Sequence, residues 1–188
     1  MLNKFVVQRS KYKSADLGVL KAAVKAKLEK LVLLNRTRTD FAEKFEELIE
    51  DYNAGSATIE SLYNELLSLS NSLSEEEQRH VRENISEEEL VIFDILTRPA
   101  PELTTQERDQ VKKVASTLLG KLKTLLVLNW RQKTSARSKL KLAIEDALEG
   151  GLPEAYSPEL YSQKCAAVFE HVYESYPERD KGIYAEVA

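Results

Sequence analysis

Most of the features that would point to chemistry are missing from this chain. Its 188 residues include one cysteine, so no disulfide can close within it, and a reducing, cytoplasmic setting is expected. Glycine and proline are scarce, at six and five, which leaves few turns and favours long helices over many short strands. The longest unbroken apolar run, Cys165–Phe169, is far too short for a membrane-crossing helix, and the N-terminal MLNKFVVQRSKYK has no signal-peptide core. Two histidines, His80 and His171, lie about ninety residues apart and fall in no HExxH or CxxC pattern. There is no Walker-type glycine loop and no GxGxxG. Cys165 sits in an apolar stripe and reads as a small core residue rather than a nucleophile. These absences predict no catalytic residues, no metal, no cofactor and no membrane partner, hence a chain that is not an enzyme by itself.

What is present is charge, unevenly placed. The net charge is only −4. Residues 1–38 carry ten Lys/Arg against two acids, and residues 39–110 carry five against nineteen. Residues 111–141 carry nine cations and no acid, and residues 142–188 carry three against ten. Basic and acidic blocks alternate. Either the basic helices lie against the acidic ones within the molecule, or one basic block faces nucleic acid or an acidic partner.

Periodicity predicts an all-α chain: a single helical domain of about seven or eight helices, with no significant sheet. Residues 1–14 read as a basic arm or stub, 15–176 as the helical domain, with a possible break at 97–103, and 177–188 as a loose tail. The first helix, from about Asp16 to Asn35, carries Leu17, Leu20, Val24, Leu28 and Leu31 at spacings of three and four. The second has a seam of Phe41, Phe45, Leu48, Ile49 and Tyr52 and ends at Asn53-Ala54-Gly55, where Gly55 can turn left-handed. Thr58 is the expected N-cap of a third, carrying Ile59, Leu62, Leu66, Leu69 and Leu73. Three capping boxes follow, Ser74 with Glu77, Ser86 with Glu89 and Thr104 with Glu107, and they give the glutamate runs a structural reason to exist. Pro99 and Pro101 break the chain before a long helix from about Thr105 to Leu126, in which Gly120 suggests close packing. Another helix starts near Asn129 or Trp130 and stops at Gly150-Gly151. Ser157-Pro158 then opens the last, which carries Tyr161, Cys165, Val168, Phe169 and Val172.

The chain's most unusual stretch is Leu125–Lys141, LLVLNWRQKTSARSKLK, with the only Trp and no acid. On a helical wheel Lys133, Arg137 and Lys141 form one stripe bordering the apolar face of Ala136, Leu140, Ile144 and Ala147. Such a stripe needs partners. Three remain open: acids of the same domain (from the second or fifth helix region), a seam with another subunit, or phosphates. Trp130 reads as a partly buried anchor, and Trp130, Arg131, Lys133, Arg137 and Lys141 are the candidate partner or DNA contacts.

These residues, with the strings LNRTRTDFAEKFEELIEDYNAGS, SEEEQRHVRENISEEELVIFDILTRP and AVFEHVYESYPER, resemble the C-terminal region of the motor/restriction (R) subunit of type I restriction–modification enzymes. The likeness runs from about residue 15 to the end. In that family the R subunit carries a nuclease domain, two helicase-like ATPase domains, a helical domain and then this region. The resemblance implies a fragment or stand-alone remnant of such a subunit. Its implied role is to hold the motor onto the methyltransferase and specificity subunits, with direct binding of double-stranded DNA backbone as the alternative. It carries over no catalytic residue. It does carry over Trp130, Arg131, Lys133 and Arg137, the Leu152-Pro153-x-x-Tyr156 turn, and the end His171-x-Tyr173-Glu174-x-Tyr176.

Overall fold

The computed structural model describes residues 2–99, 101–177 and 182–184, with side chains described from Ser14 onward. It is all-α: eight α-helices, two short 3₁₀ turns and no strand among the described residues. Contacts gather into two compact units, Met1–Arg79 and His80–Ala188.

The first unit is built on α1 (Leu2–Leu34), α2 (Thr39–Asn53) and α3 (Ile59–Glu77). The basic segment read as an arm continues α1 from Leu2; it contains neither glycine nor proline to stop a helix. Leu17, Val24, Leu28 and Leu31 of α1 are buried with Phe45 and Ile49 of α2 and Leu62, Leu66, Leu69 and Leu73 of α3. Gly55 has φ +76°, the left-handed conformation expected of it, and the Thr58 hydroxyl accepts from the Ser61 N–H at 3.1 Å.

The Ser74–Glu77 capping box does not form. α3 runs straight through, because its buried leucines continue to Leu73 and give no reason to end the helix. The Ser74 hydroxyl donates instead to the Ser70 carbonyl one turn back, at 2.8 Å. Glu77 pairs with Lys27 of α1 at 2.9 Å, and Glu76 takes Arg38 at 2.9 Å and Arg79 at 3.1 Å. Arg38 is fully buried and also donates to the Leu31 carbonyl, so this pair clamps the end of α3 to the turn between α1 and α2.

The second unit holds α4 (Arg79–Arg82, shared with the boundary), α5 (Glu87–Thr97), α6 (Thr105–Leu125), α7 (Thr134–Glu149) and α8 (Pro158–Ser175). Packing of α5 on α6 and α8, and of α7 on α6 and α8, closes these four into a ring. α5 is its most buried member: Leu90, Val91, Ile92, Phe93 and Leu96 are all buried. The two predicted boxes here form in full. Glu89 accepts from the Ser86 N–H at 2.7 Å, and Glu107 accepts from the Thr104 N–H at 2.8 Å.

The Pro99–Pro101 link, the sequence-predicted place for a break, lies inside this unit. The buried Lys164 ammonium of α8 donates to the carbonyls of Ile95, Arg98 and Pro99 at 2.7, 2.8 and 3.2 Å, and the Tyr156 hydroxyl donates to Leu96 O at 3.0 Å. The orphan carbonyls at the end of α5 are thus met by side chains from another part of the unit. Gly120 is not at a close contact: a Cβ there would meet nothing within 4 Å, since the residue lies on the solvent side of α6. The close approach is at Gly151, where a Cβ would stand 2.5 Å from Val114 Cγ2 and 2.8 Å from Ala147 O.

Candidate interaction surface

The apolar tetrad at the end of α6 divides. Leu126 is buried, Leu125 half-buried, and Val127 and Leu128 point outward at 43% and 65% exposure. The chain then turns at Asn129, which holds φ +57°, and the Trp130 N–H donates to Val127 O at 3.0 Å. Trp130 does not open a helix. It starts a 3₁₀ turn, Trp130–Gln132, and α7 begins only at Thr134. The wheel that ran from Trp130 through Lys141 therefore does not apply: Lys133 stands outside the helix, and Arg137 and Lys141 alone share its face.

Trp130 is buried completely rather than in part. Its Nε1–H donates to Tyr176 O at 2.9 Å, and its ring meets Tyr173 edge-on, with centroids 5.7 Å apart. Arg131 donates to Glu174 O at 3.0 Å and lies over the Tyr173 ring at 5.1 Å. Arg137 donates to Arg131 O at 2.5 Å and to Thr134 Oγ1 at 3.2 Å. Lys141 lies over the Phe169 ring at 4.8 Å. Lys133 is exposed. Among the described residues, none of these cations forms an ion pair with an acid of the second or fifth helix; Arg131, Arg137 and Lys141 are met by carbonyls, a hydroxyl and aromatic faces.

The two family-like groups of residues thus meet. Trp130, Arg131 and Arg137 fold the turn before α7 onto the end of α8, where Tyr173, Glu174 and Tyr176 receive it. Tyr176 is itself fixed, donating its hydroxyl to Glu88, which pairs with Lys123 at 2.7 Å. Burial, then that carboxylate, holds the Tyr176 phenol far above its ordinary range. His171 completes this end, with Nδ1 3.2 Å from Ser175 Oγ and Nε2 3.1 Å from Tyr184 Oη. Of the segment read as a loose tail, only Pro177 and residues 182–184 are described; the rest lies outside the described residues.

Two features escaped the sequence reading. Lys164 carries no local signal of its role, since its three acceptors lie 65 to 69 residues away. The other is an open groove of about 530 Å³ between α7 and α8, floored in part by Tyr161, Cys165 and Phe169. Cys165 is half-buried there, packed against the core; burial pushes its thiol up, which opposes a nucleophilic role. No cluster of possible metal ligands occurs among the described residues, and no helix of theirs is long and apolar enough to cross a membrane.

A family model described as type I restriction enzyme HindI endonuclease subunit-like, C-terminal, matches residues 4–178. No curated protein and no solved structure matches the chain.

Proposed function

Since the chain belongs to the family of C-terminal regions of endonuclease subunits like that of type I restriction enzyme HindI, we propose that it is an assembly module. In this reading it holds the motor subunit to the methyltransferase–specificity core of a type I complex and leaves the chemistry to other parts. The observation that carries the reading is the turn at Val127–Leu128. Two large aliphatic side chains are held outward by a turn that is fixed beneath by the buried Trp130 and its bond to Tyr176 O. The surrounding stretch, 111–141, contains no acid. A rigid apolar tip in a cationic setting suits a complementary acidic partner, because holding the tip in one conformation in advance lowers the entropy cost of docking. The test is co-purification of the full chain with its cognate methyltransferase–specificity complex. The chain should bind, and Leu128→Asp should weaken binding at least tenfold without moving the melting temperature. Failure of the unaltered chain to bind removes the basis for the reading.

A second reading, contact with the DNA backbone, is favoured by one observation. Lys113, Lys121 and Lys133 are exposed and enter no ion pair among the described residues. Three phosphate contacts would give a log–log salt slope of about −3 in a gel-shift series, lost in the triple alanine variant; no retardation at low salt eliminates this reading.

A further inference from the structure

The groove between α7 and α8 has a chemistry distinct from the tip. Tyr161, Cys165 and Phe169 recur every four residues, so they form one row along α8. All three are half-buried, and Ala166 beside them is exposed, leaving the floor open. On the α7 side Leu142 stands 57% exposed. Next along that wall come Glu145 and Glu149, exposed carboxylates that form no ion pair or hydrogen bond among the described residues. The wall's one cation, Lys141, is occupied at the Phe169 ring. The groove is therefore apolar along its floor and negative along one wall.

We propose that this groove seats a basic amphipathic helix of a partner subunit. The proposal rests on the assembly reading and adds a second contact, opposite in charge to the tip. An apolar stripe on the incoming helix, at spacings of three and four, would lie on the Tyr161–Cys165–Phe169 row and against Leu142. Lys or Arg residues four apart on its flank would face Glu145 and Glu149. Those two repeat one turn apart, about 6 Å along the axis, which is the period a helix laid alongside presents. A strand would bring a row of unpaired backbone groups for which these side-chain walls offer no ladder.

The test measures binding of the purified full chain to the cognate methyltransferase–specificity complex. Ala166→Arg puts a cation at the mouth of the groove, and Glu145→Lys with Glu149→Lys reverses the wall. Neither touches a buried side chain, and the Glu145 carbonyl that accepts from Tyr161 is backbone. Each should weaken binding at least tenfold, with the circular dichroism spectrum and melting temperature unchanged. The matched pair Glu46→Lys with Glu50→Lys, at the same spacing on the exposed face of α2, should bind like the unaltered chain. If the unaltered chain does not bind, the assembly reading fails. If it binds and the groove variants bind equally, the groove proposal alone fails. It also fails if the α2 pair weakens binding as much, which would make the effect one of bulk charge. It fails again if the chain self-associates and Ala166→Arg renders it monomeric, which would make the occupant a second copy.

Discussion

At the scale of single residues, Trp130 decides how the motif-bearing turn is held. It is buried, donates to a backbone carbonyl and supports both Tyr173 and the turn that follows α6. Trp130→Phe keeps most of the apolar volume but leaves Tyr176 O without its donor, a cost of about 1–3 kcal/mol. Trp130→Ala also opens a cavity and should cost about 3–5 kcal/mol. Urea unfolding followed by circular dichroism measures both, and equal loss for the two variants would mean that the hydrogen bond carries the whole effect. Arg131 and Lys141 act differently from what their charge suggests: each spends its cation on a ring of α8, so their substitution should alter local packing before it alters any long-range field.

At the scale of elements, helix ends show what the sequence carries locally. Of the three capping boxes expected at Ser74, Ser86 and Thr104, two are caps. Ser86→Ala and Thr104→Ala should each cost about 1 kcal/mol, whereas Ser74→Ala, inside α3, should fall within about 0.5 kcal/mol of zero. Thermal or urea denaturation of the three variants separates the cases, and a loss at Ser74 matching the other two would contradict a continuous α3. The pattern at Ser74 misleads because its outcome is settled far away. Lys27 takes Glu77 and Arg38 takes Glu76, while the leucine stripe continues through the site. The start of α7 was illegible for a related reason: the turn that delays it, with Asn129 left-handed, is held by the bond from Trp130 to Tyr176 O, 46 residues away. The stripes of α1, α2, α3 and α8, by contrast, are short-range periodicities, and the residues that they single out are either buried in the two cores or packed, half-buried, against them.

At the scale of the whole molecule, three carboxyls spread over both units tie its stability to pH. The Lys27 hydrogen bond holds Glu77 below its ordinary value of 4.5. Burial pushes Glu89 up, but hydrogen bonds from Ser116 and Ser86 outweigh it and leave the group lowered. The Thr104 hydroxyl and N–H lower Glu107. Each folded carboxyl binds a proton less readily than its unfolded counterpart, so the stabilisation is present above about 4.5 and is lost as pH falls through the lowered folded values. Urea midpoints should stay level from neutral pH to about 5 and then fall, and Glu89→Gln with Glu107→Gln should fall less steeply. A midpoint that drops equally in both proteins would place the acid sensitivity elsewhere. The all-α class and most helix positions were readable because they rest on neighbours within a turn or two. The packing under the candidate surface was not, because Trp130 and Tyr176, which meet there, are joined only by folding, as are Lys164 and Ile95 at the end of α5.

The groove's lone sulfur has a practical consequence. Cys165 is the single thiol of the chain and lies partly open on the groove floor. A fluorophore or spin label attached there by maleimide chemistry would go to one position, with no cysteine to remove and none to add. Because burial raises the thiol's pKa, attachment should quicken as the solution is made more alkaline. Anything that settles into the groove would slow it.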